Sequence, residues 1–546
     1  MRKKISKLQI IYLAIFIILL ILFAFNKIHS NDFWWHLKLG EMILAKHSFL
    51  TTDIFSFTKL GATWFYNSQL FDTSTWIIFK ISGWFGVFLF RFVIYLATFY
   101  FIYKTIKLKK IIWPYFWTGA FLILLIMNSR HLFRPELVLY LFTSIYLYLL
   151  YAYKYKNYKA IYFLPLLQVL WVNSHASFVL GIILVGIFLL AELIRLIAKH
   201  KIYLKQIIAA KYFQTYLIVF LLTLLANFIS PYGYKIFLII SQSIVSGAQE
   251  SFIYISEWSN QTAADYLNLQ LNPLLGYKII LVLGLIVLLT KISQIYKYYK
   301  LKKTFIHLPY EDILLFIVFL YLSINMSRFS LVNAMVVMII ILKNLPGLIS
   351  KKNILHNYKL QNSFVIFSIV LFFIIMPVQQ WKDKFGLGYL PNRYSEGAVE
   401  FIKNYQVPGN MLNHYNEGGY LIWALYPDKP VFIDGRTPNV YDDDFYWRWR
   451  NLSDDNIRQQ IVEEHDINFW LWPHNNELQK ILWNDEQWQL IYTDQTSTIY
   501  IKNIASNQEL INQFGYKFFA PYFTDTDVEQ ACNEANLAQV PDIKID

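Results

Sequence analysis

Asp32 stands just beyond a long apolar run, with His29 and His36 on either side and Trp34–Trp35 immediately after it. A carboxylate among imidazoles has the makings of a general base or of a cation ligand. An aspartate in front of a helical pattern is equally a preferred N-cap. The two readings are compatible, because a cap fixes the geometry that a reacting carboxylate needs. The segment SRHLFRPE brings Arg130, His131, Arg134 and Glu136 together between apolar runs. Its guanidinium groups suit a phosphate gripped in bidentate fashion, or snorkel to lipid headgroups. Arg328, in INMSRFS, poses the same choice. Arg91 lies inside an apolar run with no carboxylate nearby in sequence, so it needs a partner from another helix or a phosphate. In WVNSHAS, Asn173 and His175 either hold a turn or reach a substrate. Glu257, in FIYISEW, is either an inert loop carboxylate or a second reacting acid.

Two later segments, HYNEGGYLIW and VFIDGRT, are also distinctive. Tyr415 and Glu417 precede Gly418 and Gly419, which permit close backbone approach at a helix start that favours an anion. Asp434-Gly435-Arg436 falls at the C-terminal end of an expected strand, where α/β domains place ligand sites. Such glycines are also common as plain turn residues. The run Asp442–Asp444 reads either as a metal cluster or as a solvated helix cap. No zinc-ligand spacing, phosphate-binding glycine loop or nucleophile elbow occurs, and the single cysteine, Cys532, excludes an intramolecular disulfide.

The elements that must carry these residues are mostly apolar helices. Of 546 residues, 56% are hydrophobic and only 16% charged, well below the quarter usual for a soluble chain. About eleven transmembrane spans are expected, near 8–26, 84–103, 111–128, 137–153, 160–173, 178–197, 212–229, 274–292, 311–325, 329–345 and 363–379. Residues 1–379 hold 36 Lys and Arg against 11 Asp and Glu, whereas residues 380–546 hold 13 against 25. The basic charge sits in alternate short loops, which the positive-inside rule explains without nucleic acid. That alternation places the N-terminus in the cytoplasm and the long loops 27–83 and 230–273 outside, together with residues 380–546. The segment from Phe33 reads as an amphipathic helix on the outer membrane surface. Eight of the eleven acidic residues before residue 380 then face outward, and almost none lies at mid-membrane. That distribution favours chemistry at the outer leaflet over conduction.

From Trp381 the pattern becomes a soluble α/β domain with a polar tail from Ser506. Strands are expected at NMLNHY, PVFID and INFWLW, with a closing hairpin turning at Asp494–Thr496. Helices are expected from Ser395, over EGGYLIWALY, near 440–450 and 454–465, and at NELQKIL. The expected fold is an α-helical polytopic membrane protein, residues 1–379, followed by an external α/β domain, residues 380–546.

The segments DFWWHLKLGEMIL, TTDIFSFTKLGATWFYNSQL, RHLFRPE, LWVNSHASFVLG, NFISPYG and GGYLIWALYPDKPVFIDGRTPNVY together resemble bacterial polytopic glycosyltransferases of the GT-C superfamily. The resemblance covers most of residues 30–500. It implies transfer, with inversion, of a sugar or oligosaccharide from a polyprenyl-phosphate-linked donor to an acceptor outside the cytoplasmic membrane. Asp32 matches the acidic residue of the first external loop, which acts as general base or holds a divalent metal such as Mg²⁺ or Mn²⁺. Arg134 and Arg328 would then bind donor phosphate, with Arg130, His131, Glu136, Asn173, His175 and His36 around the substrate. Glu257 would be a secondary catalytic carboxylate. The segment Tyr415–Arg436 resembles the acceptor-recognising segment of oligosaccharyltransferase catalytic subunits, but Asn416-Glu417-Gly418 stands where they have Asp-Tyr-Gly. Tyr415, Glu417, Gly418, Gly419, Asp434 and Arg436 would shape acceptor binding, the acceptor being a glycan, lipid or protein. The rival classes are a transporter or flippase of a lipid-linked glycan and a non-catalytic membrane assembly factor.

Overall fold

A computed structural model of the chain describes residues 6–109, 112–130, 132–198, 204–237, 265, 268, 270–302, 308–348, 357–377, 379–382, 384–437, 439–474 and 477–517. Two compact units divide it: residues 1–28 with 67–388, and residues 29–66 with 389–546. The segment 29–66 therefore belongs with the C-terminal α/β part. Most of loop 230–273, including all of 238–264, lies outside the described residues, as does the whole tail beyond residue 517.

The first unit is helical because its apolar runs satisfy their own backbone groups, which a bilayer cannot do for them. Each of the eleven expected spans falls on a helix. Seven helices among the described residues are long and apolar enough to cross a membrane: Lys7–Ala24, Gln69–Lys107, Leu137–Lys156, Ala176–Ile197, Leu274–Tyr296, Ser327–Asn344 and Tyr358–Ile375. Trp113–Met127, Lys159–Val172 and Lys211–Ala226 are shorter apolar helices. The chain is a multi-pass membrane protein. Helix Gln69–Lys107 is interrupted at Gly83, whose φ of 57° lies in the region that favours glycine. The expected span at 84 begins at that break.

Arg91 finds its partners in the backbone. Its Nε donates to the Ala24 carbonyl at 2.7 Å and its NH2 to that of Asn26 at 2.5 Å. These carbonyls lie at and just beyond the end of helix Lys7–Ala24, where no further helical turn donates to them, and a cation there also suits the helix dipole. The chain just beyond, Phe25–Ile28, is bonded to Lys384–Gly388 through Lys27 N–H to the Lys384 carbonyl (2.7 Å) and Ile28 N–H to that of Gly388 (2.9 Å).

A second buried charge cluster ties four helices. Asp312 accepts from Lys343, from the Tyr151 hydroxyl at 2.5 Å and from Asn344 at 2.7 Å. Its neighbour Glu311 pairs with Lys154 and with Arg195, the latter at 2.8 Å. Glu311 and Asp312 thus staple helix Tyr310–Asn325 to Leu137–Lys156, Val179–Ile197 and Ser330–Asn344.

The second unit holds one four-stranded sheet, ordered β1-β2-β4-β3. Strand β1 (Asn410–Asn413) runs parallel to β2 (Ile467–Pro473), and β4 (Ser497–Lys502) is antiparallel to both β2 and β3 (Trp488–Thr493). The hairpin turns where expected, with Asp494 Oδ1 accepting from the Thr496 and Ser497 amides at 2.7 and 2.8 Å. Helix Glu396–Asn404 follows Ser395, and Gly418–Leu425, Asp443–Arg450, Asp455–Glu464 and Glu477–Trp483 match the expected helices.

Two expectations need correction. PVFID is not a strand of the sheet. Val431 instead donates to the Phe55 carbonyl at 3.0 Å and accepts from Phe57 N–H at 3.2 Å. The Asn413 side chain occupies two more backbone groups, accepting from Phe432 N–H (2.8 Å) and donating to the Ile433 carbonyl (2.7 Å), and the Thr58 hydroxyl donates to the Phe432 carbonyl at 2.7 Å. Helix Phe33–Lys46 is not laid out as a lipid-facing surface helix either. Trp34 and Trp35 are 2% and 5% exposed. Trp34 is ringed by Tyr389, Tyr394, Tyr420 and Trp423, with centroids 5.1 to 6.2 Å away. Apolar burial against helix Gly418–Leu425 takes the face that a membrane interface would otherwise cover.

Replacing Asp312 by Ala strands the Lys343 ammonium in the core and destabilises the protein by about 3–5 kcal/mol. A Lys343→Met change in the same chain restores most of the loss, since an apolar pair of similar volume tolerates that site. Thermal unfolding of the purified protein in detergent checks this, and an unaltered melt for Asp312→Ala contradicts it.

Candidate active site

The chemistry-bearing residues singled out in the sequence fall into two groups, one in each unit. Asp32, His36, Tyr415, Glu417, Gly418, Gly419, Asp434 and Arg436 lie in the second unit. Arg130, Arg134, Glu136, Asn173, His175 and Arg328 lie in the first. His131 and Glu257 lie outside the described residues.

Asp32 occupies the N-cap position of helix Phe33–Lys46, but its side chain makes no capping bond. Its backbone carbonyl accepts the first bond of the helix, from His36 N–H at 3.2 Å. The carboxylate faces the Trp35 indole, whose Nε1 lies 3.4 Å from Oδ1. It also lies against Gly435, where a Cβ would come within 2.5 Å of Oδ1. Tyr415 stands near enough to feel its charge. Burial first, and the Asp32 carboxylate second, hold that phenol well above the usual tyrosine range, so it keeps its proton. His36 is buried, its ring tilted at 32° to that of Trp35 with centroids 3.7 Å apart, and shares a 2.8 Å hydrogen bond with the Tyr66 hydroxyl through Nδ1.

Gly418 and Gly419 hold chain rather than an open cradle. A methyl at Gly419 would overlap the Asn31 carbonyl oxygen, and one at Gly418 would overlap that of Ile433. The helix start is thereby pressed onto Asn31 and onto Ile433–Asp434. Glu417, just before it, accepts from Ser395 Oγ at 2.8 Å. Burial raises its pKa, and the two Ser395 bonds only partly oppose that. The Asp442–Asp444 run acts as a helix cap: Asp442 accepts from Phe445 N–H at 2.9 Å and from Lys59 at 2.7 Å.

Behind Gly435 lies a buried ion network. Arg436 donates to Asp434 through Nε (2.7 Å) and NH2 (2.6 Å), and to Asp53 through NH1 (2.5 Å). Its guanidinium lies 4.8 Å from the Trp64 ring and 5.2 Å from that of Phe55. Asp53 further accepts from the Phe55 and Ser56 amides and the Ser56 hydroxyl, and Asp434 from the Tyr441 hydroxyl. Burial works against the guanidinium's charge, and Asp434 foremost, with Tyr441 and Asp53, more than offsets it. Sequence reading passed over Asp53, Ser56 and Tyr441. The available signal was the lone carboxylate of TTDIFSF.

In the first unit, Arg130 donates to Ser327 Oγ at 3.2 Å, which joins SRHLFRPE to the turn carrying Arg328. Glu136 accepts from the Tyr140 hydroxyl at 2.8 Å. Arg134 and Arg328 are half-buried. Asn173 holds its turn, donating to the Val169 and Ile229 carbonyls at 2.8 and 2.9 Å. His175 caps the short helix after it, its Nδ1 accepting from Ser177 N–H at 3.2 Å. No group of three or more His, Cys, Asp or Glu among the described residues is arranged to hold a metal ion.

His414, next to Tyr415, has its ring between Trp449 and Trp472, with centroids at 5.4 and 5.1 Å. Burial pushes its pKa down to about 4. Between pH 6.5 and 4 the unfolded chain holds a proton at this site that the folded chain refuses. Stability supplied here is complete above pH 6.5 and falls as pH drops toward 4, by on the order of 2 kcal/mol after allowing for partial exposure. His414→Gln removes that slope. Melting curves of the two proteins at pH 7 and 4.5 test it, and equal losses in both contradict it.

No family model matches the chain, and no curated protein matches it in sequence. Solved structures do match in fold. The oligosaccharyltransferase AglB from Archaeoglobus fulgidus, in complex with an inhibitory peptide and a dolichol-phosphate, superposes with a TM-score of 0.53 at 10% identity. The match covers 86% of this chain and 69% of that one. The oligosaccharyltransferase of the same organism in the apo form gives 0.52 at 10% identity, covering 91% and 74%. ArnT from Cupriavidus metallidurans in the apo state gives 0.50 at 10% identity, covering 91% and 98%. The likeness is one of fold: the chain is a helical membrane protein with a C-terminal α/β part, built on a plan similar to that of these solved structures.

Proposed function

We propose that the protein is a membrane glycosyltransferase, working at the outer face of the cytoplasmic membrane with its N-terminus inside and residues 380–546 outside. It moves a sugar or oligosaccharide from a polyprenyl-phosphate-linked donor to an envelope acceptor. The observation that carries this reading is the placement of Asp32. Its carboxylate is not used as a helix cap and lies against Trp35 and Gly435, at the start of the segment after the first span. The fold likeness to an oligosaccharyltransferase whose structure holds a dolichol-phosphate supports the choice of donor.

Asp32 acts as general base on an acceptor hydroxyl or amide. As the proton moves to its carboxylate, the acceptor atom attacks the anomeric carbon of the sugar. The bond from that carbon to the phosphate oxygen breaks, and the polyprenyl phosphate leaves with the electron pair. Attack opposite the leaving group inverts the anomeric centre. Arg134 and Arg328 grip the departing phosphate, with Arg130, His131, Asn173 and His175 beside them. Glu257 is a secondary carboxylate, and His36, Glu136 and residues Tyr415–Arg436 shape the substrate environment.

Asp32→Asn preserves size and removes the base, so transfer falls by about 10²–10⁴-fold. Two measurements check this: transfer from extracted lipid-linked donor by protein reconstituted in liposomes, and the envelope glycans of variant cells. A variant that transfers at the parent rate, with unchanged glycans, sinks the catalytic assignment.

A further inference from the structure

Gly435 stands between the buried network and Asp32. A Cβ built on it meets Asp32 Oδ1 at 2.5 Å and Asp32 Cγ at 3.6 Å, and beyond those only Trp35 Nε1 at 3.9 Å. A Cβ here would meet the end of one side chain, the Asp32 carboxylate, which would have to turn aside, and no main-chain atom crowds the position. The two residues flanking Gly435 are immobilised. Asp434 and Arg436 are 0% and 2% exposed, bonded to one another twice through side chains, and tied to Asp53. Arg436 N–H also donates to Asp434 Oδ1 at 3.0 Å, closing a tight turn around the glycine. On the far side, the Trp35 indole sits 3.4 Å from the same carboxylate oxygen. The carboxylate is thus held between a fixed backbone surface and an indole N–H.

We propose that Gly435 is a positioning residue for Asp32, and that the Asp53–Arg436–Asp434 network serves to hold its bare Cα against the carboxylate. This rests on the reading of Asp32 as the reacting base. A side chain at 435 turns the carboxylate off its seat, while the phosphate-binding residues of the other unit keep their own surroundings. The expected signature is a loss in kcat with little change in the KM for lipid-linked donor. Displacements of about 1 Å in a reacting group lower rates by roughly a hundredfold.

The network itself is a poor place to cut. Removing Arg436 strands two buried carboxylates, so that variant unfolds for reasons unrelated to positioning. Gly435→Ala is the informative change, studied alone and in an Asp32→Ala chain. In the parent background, Gly435→Ala lowers both the melting temperature and kcat, with donor KM held within about twofold. In the Asp32→Ala background the methyl has room, and Gly435→Ala leaves the melting temperature unchanged, a coupling that only direct contact produces. If Gly435→Ala shifts the melt equally in both backgrounds, or lowers kcat without any coupling in the melt, the positioning role is overturned. If the melts are coupled while Asp32→Asn transfers sugar at the parent rate, the seat is real and the catalytic reading of Asp32 is the part that fails.

Discussion

A buried guanidinium needs its charge met on the spot, because the low dielectric around it punishes any unpaired ion. Arg436 meets that demand with Asp434 on its own turn and with Asp53, far away in sequence. The geometry leaves little freedom. A planar fork bonded on two sides and sandwiched near Trp64 and Phe55 fixes the turn 434–436 and the loop 53–56 together. Val431 then bonds with Phe55 and Phe57, and PVFID is lost to the sheet. The four strands are left to β1, β2, β4 and β3.

The placement of Asp32 follows from the same arrangement. Helix Gly418–Leu425 approaches residues Asn31–Trp35 as closely as backbone allows, which is why no side chain fits at Gly419. Trp34 fills the aromatic ring of Tyr389, Tyr394, Tyr420 and Trp423, and the opposite side of the helix start is closed by Gly435. Burial, with the Asp32 charge behind it, keeps Tyr415 protonated. The pieces are individually ordinary: a tryptophan, two glycines, a buried ion network. Their common product is a carboxylate whose orientation is set by neighbours on both faces.

The membrane helices were legible in the sequence because apolar length is a direct physical requirement of a bilayer, and each expected span is helical. The strands at 410, 467 and 488–502 were legible from alternation and turn chemistry. PVFID misled because its apolar run satisfies any buried extended segment, whether or not a sheet receives it. The tryptophan pair at 34–35 misled for a related reason: indoles suit both a membrane interface and an aromatic core, and only the partners from residues 389–423 decide between them. Within the site, Asp32, Tyr415 and the glycines stood out by type and spacing. Asp53 did not, because its partner lies in the distant VFIDGRT segment and no local pattern links the two. Arg91 was recognised as needing a partner, yet that partner is main chain, which a sequence marks only as the end of a helix.

The second unit is discontinuous. The chain leaves it after Tyr66 and returns at Tyr389, once the whole helical unit has been synthesised. Until then Trp34, Trp35, Trp64 and the carboxylate of Asp53 emerge from the ribosome without the groups that finally bury them. Co-translational folding can complete the helices in order, but this early segment must wait in a half-made state, a demand typical of long-range contacts. A soluble fragment cut at residue 389 would inherit the converse problem. It would lack the Asp53 partner of Arg436 and the edge that Val431 bonds, so a secreted version must be built with residues 29–66 grafted on.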